Sequence, residues 1–173
     1  MKLNLGCGNN ILSGWDNHDM DVDLTKPIPY ADLSVQKIFA EHVIEHLTSA
    51  EMMNFFSECY RILQPGGILR VVFPDIEQTH ERTTEEYVKF ARTYIPDSLK
   101  NLPMVHWHAL SRCHGHKQML TKGLIIHSLS GFPFSCISPA QLYLFNGEPV
   151  DGHHNAIGKA YHELESVAVE AIK

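Results

Sequence analysis

Apolar and polar positions alternate from the start of the chain: Leu3 and Leu5 flank Asn4, and the run breaks at Gly6-Cys7-Gly8. A period of two that ends in glycines predicts a buried strand closed by a tight loop where a ligand can approach the backbone. The next six residues, Asn9 to Gly14, are too few for a crossover helix, because parallel strands usually need a connection of about a dozen residues or more. An abbreviated first crossover is therefore expected. Trp15 to Asp19 predicts a short second strand and Val22-Asp23-Leu24 a third, edge segment, while Pro27 and Pro29 make 25–34 a loop.

Val35 to Ala40 has the β-branched and aromatic content of another strand, and it runs directly into Glu41-His42-Val43-Ile44-Glu45-His46-Leu47. Thr48 and Glu51 have capping-box spacing, and Met52, Phe55, Phe56, Cys59, Tyr60, Ile62 and Leu63 recur at three and four residues. Together they predict a helix with a broad apolar face, stopped by Pro65-Gly66-Gly67. Ile68 to Phe73 is the next buried strand, closed by Pro74-Asp75. Thr83-Thr84-Glu85-Glu86 repeats the capping-box spacing and opens a helix to about Tyr94, with an earlier turn available from Asp75. Further on, 121–130 reads as a helix with Leu124, Ser128 and Leu129 on one side, and 134–137 as a strand. Residues 139–162 read as mostly loop with an apolar patch at 142–145, and 167–172 as a closing strand.

A length of 173 residues and 44% hydrophobic content suit one domain with one sizeable core. The formal charge of −6, with no basic run, argues against binding nucleic-acid backbones. Cys7, Cys59, Cys113 and Cys136 form no C-x-x-C pair, so neither a zinc finger nor a disulfide framework is suggested. No apolar stretch approaches the ~20 residues of a membrane helix, and a cytoplasmic protein is expected.

Asp19 follows the glycine loop at the end of the second strand, where an acid can accept from the hydroxyls of a nucleoside's ribose. Ile11 stands where the third glycine of a dinucleotide fingerprint would be, which disfavours a nicotinamide-binding fold. His42 lies at the carboxyl end of its strand, where ligands of α/β sheets gather. Glu45 and His46 read first as helix-opening residues. His106, His108, Cys113, His114 and His116 are metal-type ligands without a recognised zinc spacing, so a substrate-facing loop is expected and no metal site.

The stretches Leu3-Asn4-Leu5-Gly6-Cys7-Gly8, Gly14-Trp15-Asp16-Asn17-His18-Asp19, Val22-Asp23-Leu24, Glu41-His42-Val43-Ile44-Glu45-His46-Leu47 and Cys59-Tyr60-Arg61-Ile62-Leu63-Gln64-Pro65-Gly66-Gly67, followed by Val71-Val72-Phe73-Pro74-Asp75, occur in that order. With Gly115-His116-Lys117 and the closing Val167-Ala168-Val169-Glu170-Ala171, the chain resembles the class I S-adenosylmethionine-dependent methyltransferases, in a short branch similar to the methyltransferase type 11 group. The resemblance implies an α/β, Rossmann-like three-layer sandwich with a seven-stranded, mostly parallel sheet whose last strand is antiparallel. It implies a single domain over 1–173, with 95–117 as an acceptor-site insertion.

It further implies S-adenosyl-L-methionine as cofactor. Asn4, Gly6, Cys7 and Gly8 would lie along its methionine part, Asp19 on the ribose hydroxyls and Asp23 or the backbone of Leu24 near the adenine. Glu41 would lie near the amino group, with His42 beside the methyl. The implied function is methyl transfer to an oxygen or nitrogen of a small-molecule or glycan-like acceptor, with His42 and His116 as catalytic candidates. A non-catalytic S-adenosylmethionine-binding module is the alternative, and a nicotinamide-binding protein stands behind both. The clipped crossover and the lack of helices ahead of the first strand leave the cofactor thinly covered in a monomer, so a homo-oligomer is among the expected partners.

Overall fold

The computed structural model describes residues 1–94, 97, 115–150 and 156–173. Its strands are β1 (Lys2–Leu5), β2 (Asp16–His18), β3 (Val35–Glu41), β4 (Leu63–Pro74), β5 (Cys136–Ala140), a separate hairpin of β6 (Leu144–Phe145) and β7 (Glu148–Pro149), and β8 (Ser166–Ile172). The main sheet has the order β2-β1-β3-β4-β8-β5. Strands β2, β1, β3 and β4 are mutually parallel, and β8 runs antiparallel to both β4 and β5. The expected reversed last strand is present, but among the described residues the sheet has six strands rather than seven. Val22-Asp23-Leu24 forms no strand. The carboxylate of Asp23 accepts from Thr25 N and Oγ1 at 3.0 and 2.6 Å and pairs with Lys26, which fixes a turn there.

Period-two alternation builds two unequal cores on the faces of the sheet. Leu3, Leu5, Ile38, Ala40, Leu69, Val71, Phe73, Val169 and Ala171 face the larger one, which is completed by α1 (Ser49–Ile62) through Phe55, Phe56 and Cys59. The alternate positions Phe39, Ile68, Val72 and Ala168 face a smaller core beneath the β6–β7 hairpin, closed by Phe145, Leu12 and Trp15. The crossover from β1 to β2 holds no helix, as its length predicts, and its Leu12 and Trp15 cover part of the thinner face instead.

Local signals set most helix ends. The Thr48–Glu51 capping box forms reciprocally and opens α1. The carboxylate of Asp75 accepts from Gln78 N and so caps α2 (Ile76–Arg82). The cap of α3 (Glu85–Ala91) is Thr84, whose hydroxyl accepts from Tyr87 N, not Thr83 as the box spacing suggested. Helix α4 (Lys122–Leu129) is capped by Thr121; it buries Ile125 and Leu129, while Leu124 is exposed. The largest departure is α5 (Ala156–Glu165), a helix within a stretch read as loop. Gly147, Pro149, Gly152 and Gly158 gave that stretch a loop composition, and the burial of His162 shows that docking supports the helix.

Candidate active site

The carboxyl ends of β2, β1 and β3 lie side by side, with Leu5 in register with His18 on one flank and Ala40 on the other. The loop leaving β1 turns through Gly6 at φ 68° and Gly8 at φ 48°, conformations that favour glycine. A Cβ at Gly6 would clash with Val43 Cγ2, so the β1 loop and the turn after β3 interlock. Cys7 N donates to His18 O at 2.9 Å. Its thiol is buried, and burial, with the nearby Asp19 carboxylate, raises its pKa, which suits a packing residue rather than a nucleophile.

Asp19 is exposed at the end of β2, and its Oδ1 accepts from Gly8 N at 3.3 Å. Asn4 lies beneath the loop, donating through Nδ2 to Asn10 O at 2.7 Å and to Asn17 Oδ1 at 2.8 Å. It supports the loop from below and is 1% exposed. Asp23 is held in its own turn, where its hydroxyl and ammonium partners lower its pKa to about 2, and Leu24 packs against the larger core.

The other half of the site is a buried polar network at the ends of β3 and β8. Glu41 accepts from Asn10 Nδ2 at 3.3 Å and has Oε1 3.2 Å from His162 Nε2, which α5 delivers. His42 takes φ 52°, a conformation costly for a side chain other than glycine and one that marks functional turns. Its Nδ1 is 2.9 Å from Glu45 Oε1 and its Nε2 is 3.2 Å from Ser166 Oγ, while its ring packs on His162 at 5.1 Å. Burial works against its protonation, but the Glu45 hydrogen bond and the Glu45, Glu165 and Glu41 charges outweigh that and raise its pKa to about 9. Burial raises Glu165, whose Oε2 accepts from Tyr87 OH at 2.9 Å.

His116 packs edge-on against His46, with ring centroids 4.9 Å apart. His106, Trp107, His108, Cys113 and His114 lie outside the described residues. The structure brings Gly6, Cys7, Gly8, Asp19, Glu41 and His42 to one edge of the sheet. The sequence reading missed Asn10, His162, Glu165 and Ser166. The polar Asn9-Asn10 pair after the glycines was a usable signal for the first, but no local pattern announces the others.

The family model for a methyltransferase domain matches residues 16–71, the stretch from β2 into β4. No curated protein sequence matches the chain. Among solved structures, the fold is similar to a SAM-dependent methyltransferase from Archaeoglobus fulgidus, with TM-score 0.58 and 11% identity over 99% of this chain and 85% of that one. It is also similar to a SAM-dependent methyltransferase from Thermotoga maritima described as a possible histamine N-methyltransferase, with TM-score 0.56 and 16% identity over 99% and 81%. With that domain match and that likeness along its length, the chain has the fold of the class I S-adenosylmethionine-dependent methyltransferases.

Proposed function

We propose that this chain transfers a methyl group from S-adenosyl-L-methionine to an oxygen or nitrogen of a small-molecule or glycan-like acceptor. The observation that carries this reading is the convergence of the Gly6–Gly8 loop, Asp19 and Glu41 at the carboxyl ends of three adjacent parallel strands. These residues fit the cofactor: positive-φ glycines let its methionine part approach the backbone, and the exposed Asp19 carboxylate can accept from both ribose hydroxyls. The backbone at Leu24 takes the adenine side, since Asp23 is engaged in its own turn.

When bound, the cofactor supplies a methyl carbon on a sulfonium, a leaving group that needs no protonation. The chain's work is then alignment of the acceptor, which by itself accounts for much of such a rate. His42 has both ring nitrogens engaged, by Glu45 and Ser166, so in this reading it positions the turn beside the acceptor. In this reading His116 contributes to the acceptor side of a single domain spanning 1–173.

Calorimetry with S-adenosylmethionine and S-adenosylhomocysteine tests the cofactor half. Asp19→Ala should weaken binding by roughly 1.5–3 kcal/mol, the range for hydrogen bonds to a charged group. Unchanged affinity would remove the ribose assignment, and no binding by the parent chain would overturn the proposal. A second reading, a non-catalytic S-adenosylmethionine-binding module, draws on Glu41 being already paired with His162. Labelled-methyl transfer in an acceptor screen separates the two.

A further inference from the structure

We propose that Glu45, His46 and His116 form a binding site for one divalent transition-metal ion of the zinc type. One carboxylate oxygen and one nitrogen from each imidazole lie within 4.8 Å of one another. The residues come from two separate segments, the 3-10 turn Ile44–His46 and the stretch after Gly115. Two imidazoles and a carboxylate are a donor set suited to such an ion, and three protein ligands leave a fourth position open to water or an acceptor oxygen.

An independent observation points to a cation. The Glu45 side chain is fully buried, and its Oε2 is a buried oxygen with no hydrogen-bond partner. A carboxylate oxygen held out of water without a donor is costly, and a bound cation would satisfy it. Its other oxygen is fixed by His42 Nδ1 at 2.9 Å, the kind of outer contact that orients a ligating carboxylate.

The two segments are joined without any ion. Lys117 N donates to Glu45 O at 2.9 Å, and the Gln118 side-chain amide donates to Ile44 O at 3.2 Å and accepts from Ser49 Oγ at 3.0 Å. His116 is thereby held beside His46 by backbone and amide contacts. Bonds of about 2.0–2.1 Å in a tetrahedron put donor atoms ~3.3 Å apart, so the 4.8 Å envelope has to contract. Both histidines are partly exposed, so the contraction on binding falls to their side chains while His42 holds Glu45, and the same partial exposure gives the ion a path from solvent.

The test does not depend on methyl transfer. Protein purified without a histidine tag and stripped with chelator is titrated with Zn²⁺ by calorimetry and with Co²⁺ by visible spectroscopy. The expected result is one equivalent of ion and the intense Co²⁺ bands of a four- or five-coordinate site. His46→Ala/His116→Ala should lower affinity roughly a hundredfold or more, while His127→Ala, an exposed histidine on α4, keeps parental binding. Sub-stoichiometric binding by the parent, or parental affinity in the double variant, would overturn the proposal and make any bound ion adventitious. If the double variant does not fold, the parental Co²⁺ spectrum and His116→Gln decide: a weak six-coordinate spectrum, or undiminished affinity in His116→Gln, overturns it.

Discussion

The two halves of the candidate site are built on opposite principles. At the ends of β1 and β2, Asp19 and Gly8 are exposed, the hydrogen bond between them spans only eleven positions, and the geometry follows from glycine conformation. At the ends of β3 and β8, Glu41, Glu45, His162 and Ser166 are buried, and close polar contacts tie residues more than a hundred positions apart. The first half can admit a ligand by presenting backbone. The second has to keep charged groups out of water, so each member depends on the others. The difference teaches that the open half can tolerate changes that the buried half cannot.

The hardest test is Glu45→Ala, which strips the partly buried imidazole of His42 of its fully buried carboxylate. Breaking a buried pair this way costs about 3–5 kcal/mol, read as a lowered urea midpoint. A loss under about 1 kcal/mol would mean that the pair behaves like a solvated surface one and would erase the contrast.

Next comes Gly6→Ala, the one place where the open half is rigid. A side chain at φ 68° whose Cβ would clash with Val43 Cγ2 combines strain with overpacking, for a loss of about 2–5 kcal/mol. Adding Val43→Ala should relieve the contact and leave the strain, so the double variant recovers only part of the loss. Full recovery would show that Gly6 is there for packing alone.

A smaller effect follows from His18, whose ring meets Asp21 at 2.6 Å and Tyr30 OH at 2.6 Å at the edge of the open half. The Asp21 hydrogen bond, opposed by partial burial and aided by the Asp21 and Asp16 charges, raises its pKa above the ordinary 6.5. Because the folded state favours the protonated ring, this contribution is complete below pH 6.5 and is lost as pH rises through the raised folded value. Thermal unfolding of the parent and of His18→Gln should therefore differ most in mild acid and converge in alkali; a gap that widens with pH would reverse the assignment. The smallest effect is expected from Asp23→Ala, which should change S-adenosylmethionine affinity by no more than about twofold, since the carboxylate serves its own turn. A tenfold loss would put Asp23 on the nucleoside.

Much of the fold was legible because its signals are local. The Thr48–Glu51 box, the β-branched and aromatic content of β3, the buried run of β4 and the shortness of the first crossover each act within a few residues, and each is found in the structure. The edge strand at 22–24 failed for an equally local reason, since an Asp two residues before a Thr captures its amide and hydroxyl and makes a turn. Helix α5 was hidden because its glycine-bearing sequence has little propensity of its own and gains its stability from docking.

The sequence by itself determined the sheet's central strands, the glycine loop and the acid beside it, because period-two burial and positive-φ turns leave a mark on successive residues. Only the tertiary structure decided that His162 meets Glu41, that Ser166 meets His42 and that His116 stands beside His46. Those meetings depend on how separate elements pack around a buried charge, and packing between distant segments imposes no spacing that a chain read in order can display.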